Sequence, residues 1–346
     1  MSQFSGKIDG GSFDELILPR LGYKRQNVEQ GPAFGVDVSV IDLGNNMGLA
    51  MTSDPLSLIP SLGLAASAWL SVHLMANDMA TTGFAPMYAQ MVLNLPPQFG
   101  QDDLTKYWDH IHQYCQAIGV AITGGHTCNI EGQHSTIAGG GTMLLTAPLD
   151  QIRLSGQAKP GNKIIVTKDC ALLSAAVLAM SFPQTVQHHL GKEIYDACCE
   201  SFYQISSLPD ALAAASTQQI TAMHDVTEGG VLGAVYEMCK ASGIGVRIDN
   251  ELLPTGHPQQ QVTQLFGIDA RFCIGAGSMI IAVETGSEQQ VLAVLTAEHI
   301  KGTVIGEFTE NTECVLITND KEEPLPYYEK DPYWAAFFNA LKKGWR

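Results

Sequence analysis

Four aspartates stand where carboxylates could do chemistry: Asp37 in GVDVSV, Asp54 closing GLAMTSD, Asp78 in ANDMATTG and Asp225 in MHDVTEGG. Each borders an apolar run, where the end of a strand or helix can hold oxygen atoms in a fixed direction. Mg²⁺ takes oxygen ligands, usually one or two carboxylates completed by substrate phosphate oxygens, so such a set suits it. A single aspartate is more simply a turn or cap residue; four in comparable settings point to a shared site.

Glycine-rich segments are the second signal. Gly10 and Gly11, Gly124 and Gly125, residues 139–141, and Gly229 and Gly230 each abut an expected strand or helix end. Glycine admits positive φ and lets backbone N–H groups approach phosphate oxygens. None forms a Walker A loop or a GxGxxG, so a nucleotide site here would be of another design. Gly229 and Gly230, just before an expected helix, are the best placed, because a helix N-terminus attracts anions. Glu228 beside them would repel phosphate unless a metal intervened. Lys7, in GKIDGG, is the cation of the N-terminal glycine segment and reads either as a phosphate partner or as an exposed lysine. Lys168 invites the same two readings. His126 in GGHT and His224 in HDVTEGG are candidate site residues, or histidines hydrogen-bonded in turns. No HExxH or Cys/His ligand spacing points to structural zinc, and no GxSxG marks a serine nucleophile.

The elements that must position these groups divide into two halves. In the first, strands are expected at residues 36–41, 48–52, 87–95, 120–123 and 136–146, with helices at 62–82 and 102–118. A segment rich in Pro, Gly and Ser at 147–162 suggests a boundary, giving domains 1–150 and 151–346. The second half opens with a strand at 163–167. Helices are expected at 171–180, 192–205, 210–216, 230–241 and 288–297, and strands running into His224 and at 245–248, 279–283, 304–307 and 314–318. Sheets with covering helices in both halves make an α+β design. The aromatic stretch after Pro324 should pack on the body.

Composition excludes several function classes. The chain has 346 residues, with 19 Lys+Arg against 35 Asp+Glu and a net charge of −16. That balance disfavours nucleic acid and anionic membrane, both of which want a basic face. The most apolar stretch, 62–79, contains His73, Asn77 and Asp78 and falls short of the ~20 clean apolar residues a span needs. The start lacks an apolar signal core, and eight cysteines are scattered without a CxxC, so a reduced cytoplasmic location is expected.

Read in order, GKIDGG, GVDVSV, MTSDPLS, ANDMATTGFAP, ITGGHT, AKPGNKIIVTK and HDVTEGGVLGAVYEM resemble the aminoimidazole ribotide synthetase-like superfamily over residues 6–318, on the synthetase-related and hydrogenase-maturation side. The resemblance implies a mixed-sheet N-terminal domain that forms a barrel with a second copy in a homodimer, and a C-terminal α/β sandwich that closes over the site. It implies ATP and Mg²⁺ as cofactors and phosphoryl transfer to an amide, carboxylate or phosphate oxygen of a small substrate. Asp37, Asp54 and Asp78 fall on the family's metal-binding acids and Lys7 on its N-terminal lysine. Asn77, Gly10, Gly11, Gly124, Gly125, Thr127, Asp225, Gly229 and Gly230 fall on its nucleotide-binding segments. Lys7, His126 and His224 become the candidates for catalysis, the histidines to orient or deprotonate the acceptor.

The chain also departs from the family. Val36 replaces an acid, His126 stands where relatives often carry Asp or Glu, the segment after strand 163–167 reads DCALLSAA instead of glycine-rich, and the end, KKGWR, lacks the dehydratase's cysteine tail. These changes motivate an alternative, a nucleotide-binding regulatory or scaffold protein with weak catalysis. A metal-dependent hydrolase unrelated to ATP is a third reading.

Overall fold

The computed structural model describes residues 6–346. After a one-turn helix α1 (Gly10–Ser12), the first half builds β1 (Val28–Gln30), β2 (Ser39–Gly44), β3 (Met47–Ser57), α2 (Gly63–Ala80), β4 (Tyr88–Leu95), α3 (Gln101–Ala117), β5 (Ala121–Asn129) and β6 (Ile137–Pro148). Six strands form one sheet in the order β1-β2-β3-β6-β4-β5. All neighbours are antiparallel except β4 and β5. The alternation YAQMVLNL explains the two faces of β4: Ala89, Met91, Leu93 and Leu95 are buried towards the helices, while Tyr88, Gln90 and Val92 are exposed. The open face thus carries apolar groups, Tyr88 at 44% and Val92 at 39% exposure.

The second half builds β7 (Lys163–Thr167), α4 (Leu172–Ser181), α5 (Pro183–Leu190), α6 (Lys192–Ser201), α7 (Leu208–Ser216), β8 (Ile220–Asp225), α8 (Gly230–Ser242) and β9 (Gly245–Asp249). It continues with α9 (His257–Phe266), β10 (Met279–Val283), α10 (Glu288–Ala297), β11 (Gly302–Thr309), β12 (Cys314–Thr318), β13 (Lys321–Pro324) and α11 (Pro332–Lys342). Its seven-stranded sheet runs β13-β12-β9-β11-β7-β10-β8. The unbroken apolar runs KIIVT and MIIAV are needed because helices cover both faces. Ile164 and Val166 pack into a core with α4, α8 and α9, whereas Ile165, Met279 and Ile281 face α7 and α10.

Helix α2 joins the halves. It is apolar nearly all round, as suits a helix buried on several sides. Ala68, Val72 and Met75 pack on the first sheet, and Ala66 and Leu70 join the core of the second half. The two-domain α+β architecture is as expected from the sequence. Two differences bear on the site. Strand β3 runs on through Asp54 instead of ending before it, and β5 runs through Gly124–Asn129, where a loop was expected. Helices α5 and α9 and the edge strands β1 and β13 were not anticipated.

Candidate functional site

Three elements and one loop bring the aspartates together. Asp78 stands in the last turn of α2, where a carboxylate opposes the helix dipole. Thr52 Oγ1 of β3 donates to Asp78 Oδ2 at 2.8 Å. Burial, together with the charges of Asp225, Asp54 and Asp37, lifts the Asp78 carboxyl well above the ordinary carboxylate range. Asp54 points from β3 to the same side, and burial pushes it up to about 6, with Lys7 working against the rise and Glu228 adding to it. Asp225 ends β8. Burial and then the charge of Asp37 push it up to about 7, although His224 and Lys7 attenuate the effect. Its Oδ2 is buried without a hydrogen-bond partner. Asp37 lies in the loop before β2, and ligand atoms of Asp37, His224 and Asp225 all fall within 4.8 Å of one another.

Lys7 enters this field from the N-terminal arm. Its Nζ donates to Thr227 Oγ1 at 2.8 Å and its backbone N–H to Glu228 Oε2 at 2.9 Å. Desolvation of the ammonium opposes its charge, but Glu237, Asp225, Asp37 and Glu228 outweigh that, and Lys7 titrates above its ordinary value. A pocket of about 240 Å³ opens beside it, lined by Gly10, Phe34, Asp37, Glu237 and Tyr327 among others.

His224 takes a different role from the one expected. Its Nδ1 lies 2.8 Å from Asp37 Oδ2 and its Nε2 3.1 Å from Glu237 Oε2. A carboxylate on each nitrogen requires both to donate, which makes the ring an imidazolium. Burial alone would lower its pKa, but the two acids raise it well above the usual histidine value. His224 is therefore neither a free base nor a free metal ligand; it is a buried charge that fixes Asp37, which also accepts from Ser155 Oγ at 2.9 Å. The donors left for a cation are carboxylate oxygens of Asp37 and Asp225, the latter with its orphaned Oδ2, and Asp54 and Asp78 are coupled to them by charge. That set fits Mg²⁺.

The other expected residues divide, with Gly10 and Gly229 lining the pocket beside Lys7 and the rest engaged in the fold. His126 is exposed on β5, opposite Val92 and on the open sheet face, away from the face that Asp54 shares through Gly141 and Met91. Gly124, Gly125 and Thr127 accompany it on that edge strand. Gly125 has φ +151°, and a Cβ there would meet Met91 O at 1.8 Å, so this glycine serves the close pairing with β4 beside a bulge, whereas Gly124 has no such contact. Asn77 is fully buried and occupied: its Nδ2 donates to Ile205 O and its Oδ1 accepts from Ser207 N, both at 2.8 Å, tying α2 to the second domain. Gly229 N–H, expected to face phosphate, donates to Asp331 Oδ2 at 2.7 Å, and Gly230 N–H donates to Thr227 O. Gly10 lines the pocket and Gly11 lies in α1, whose first turn Asp9 caps. Lys168 is structural, its Nζ donating to three carbonyls and pairing with Asp210 at 2.9 Å.

Sequence reasoning missed Glu237, Thr227, Asp331 and Trp334. Glu237 carried a signal: an acid seven residues into the apolar helix GVLGAVYEM needs a buried partner. Asp331 and Trp334 carried none, because their partners lie in a distant loop. Trp334 Nε1 donates to Glu228 Oε1 at 3.2 Å, so one carboxylate links the C-terminal helix to the N-terminal arm.

The family model for the N-terminal domain of AIR synthase related proteins matches residues 35–144, and that for the C-terminal domain matches 159–319. The chain is similar to carbamoyl dehydratase HypE of Escherichia coli, 26% identical over 240 residues and 68% of each chain. It is similar to the selenide, water dikinase of Aeromonas hydrophila, 25% identical over 72% of this chain and 69% of that one. A hydrogenase maturation protein HypE solved in complex with ATP shares its fold, with a TM-score of 0.65, 18% identity and 93% of both chains covered.

Proposed function

The chain belongs to the AIR synthase related family, and from that premise we propose that it binds ATP with Mg²⁺ at the acid cluster and activates an oxygen atom of a small acceptor by phosphoryl transfer. The observation that carries this reading is the closeness of Asp37 and Asp225, whose ligand atoms lie within 4.8 Å, with Lys7 of the N-terminal arm and Asp54 and Asp78 of the first domain coupled to them by charge. The names of the relatives, a dikinase and an ATP-bound maturation protein, support it. Residues 1–150 would supply most of the nucleotide site and 151–346 would close it through Asp225.

Asp37, Asp54, Asp78 and Asp225 would hold the ion, which when bound neutralises phosphate charge. Lys7 would add a positive charge towards the transferred group, at the position its Nζ now holds beside Thr227. The His224 imidazolium keeps Asp37 oriented, and Glu237 keeps His224 charged. A homodimer through the open, partly apolar face of the first sheet fits its exposed Tyr88 and Val92. His126 lies on that face, so it would act only across such an interface.

Calorimetry with Mg-ATP on the wild type and on Asp54→Asn tests the site. Loss of affinity in a variant with an unchanged circular dichroism spectrum is expected, and an unchanged dissociation constant refutes the metal assignment. An ADP-release assay over a panel of acceptors then separates an enzyme from the regulatory alternative, which binds without turnover.

A further inference from the structure

A second groove, of about 930 Å³, follows the seam between the two domains. It is distant from the acid cluster. Strand β8 presents Ile220 and Thr221 to the groove and His224 and Asp225 to the cluster, roughly 10–16 Å apart at about 3.3 Å per residue. No residue assigned to the nucleotide site lines it.

Arg153 is the groove's distinctive group. Its backbone N–H donates to Thr82 O at 3.1 Å and its Nε to Ile220 O at 3.3 Å, so the half-buried side chain is held at both ends. Its guanidinium lies against Gly83, where a Cβ would come within 2.6 Å of Nη1. Gly83 thus gives the arginine its room. Arg247 and Arg271 pair with Glu322 and Asp269, but among the described residues no ion pair is formed by Arg153. The acids that share the groove leave it alone: Asp150 accepts from Asn46 Nδ2 at 2.9 Å, and Glu284 makes no bond to it. In a chain with net charge −16, a clamped guanidinium left without a carboxylate is a site with its ligand side open. Lys159 adds a second cation to the lining. Gln157 spends its Oε1 on Leu154 N–H, which leaves its amide donors available.

We propose that this interdomain groove is a second binding site, for a small molecule that presents a phosphate or carboxylate group to Arg153, with Lys159 and Gln157 as its further contacts. The volume suits a metabolite-sized ligand. Because its lining comes from both domains, the occupant would bridge them. The proposal stands apart from the nucleotide reading and needs no metal.

The test is calorimetric titration of the metal-free full chain, in EDTA at low ionic strength, with inorganic phosphate and separately with malonate. Saturable binding with a dissociation constant on the order of 1–10 mM is expected, as fits one or two charge-assisted contacts. Stronger binding of phosphate identifies a phosphorylated ligand, and stronger binding of malonate a carboxylate. Arg153→Gln should weaken the better anion about tenfold or more, and Arg153→Lys and Lys159→Gln a few-fold. The two milder variants keep the test decisive if Arg153→Gln does not fold. Absence of saturable binding of either anion to the wild type overturns the proposal. So does binding that these variants leave unchanged.

Discussion

Asp225→Asn should stabilise the metal-free protein while removing its response to Mg²⁺. The Asp225 carboxyl is 2% exposed, has one oxygen without a partner and titrates near 7 instead of 3.8, because of burial and then the charge of Asp37. The folded chain therefore keeps a proton that the unfolded chain releases. Stability from this group is complete below about pH 3.8 and is lost as pH rises through about 7. A shift of about three pH units corresponds to a ceiling of about 4 kcal/mol above pH 7. The neutral amide escapes this penalty, so its advantage should grow by about 2–3 kcal/mol between about pH 5 and pH 8, less whatever its neighbours absorb by taking up the proton themselves. Urea denaturation in EDTA at the two pH values reads the difference directly. Adding Mg²⁺ should then stabilise the wild type and leave the variant unmoved. A variant that loses stability at pH 8, or whose advantage is equal at both pH values, would show that ionising the buried Asp225 carboxyl beside Asp37 does not cost the fold stability.

His224→Gln should cost about 3–5 kcal/mol, since it strips the buried charge from between Asp37 and Glu237. The histidine's folded pKa is raised, so its contribution is complete below about pH 6.5 and fades as pH climbs to the folded value; denaturation midpoints against pH should converge at the alkaline end. Gly125→Ala should cost about 3 kcal/mol or more, because its Cβ would sit 1.8 Å from Met91 O on a backbone with φ +151°. Hydrogen exchange should show the loss confined first to β4 and β5, and a variant as protected as the wild type there would contradict the bulge.

Much of the fold was legible because its signals are local. The runs KIIVT and MIIAV, the alternation of YAQMVLNL and the helix closed at Gly243 state their structure within a few residues. Helices α5 and α9 were not, since PQTVQHHL and HPQQQVTQLF are short and mostly polar, each burying a single aliphatic side chain, Val186 or Val262, so that packing partners make them helical. At the site, the acids could be picked out because a carboxylate beside an apolar run is costly without a purpose. Their partners could not. Asn77 beside Asp78 looks like part of the same motif, yet its amide faces Ile205 and Ser207 some 130 residues away, and nothing near it in sequence says so. Gly125 shows the opposite limit: a glycine signals a close approach, here to Met91 O of β4, but sequence alone does not say whether phosphate or a neighbouring strand does the approaching.

Glu228 joins the first and last described parts of the chain, so its site is completed late in synthesis. All four aspartates have been synthesised once residue 225 exists, although the strand that pairs with β8, β10, still has to follow. The turn that receives Lys7 is pinned later, when Asp331 reaches Gly229 N–H and Trp334 reaches Glu228. The first residues described and the last helix thus mature together, and a ribosome-bound chain halted before α11 would carry its acids without a settled place for its lysine.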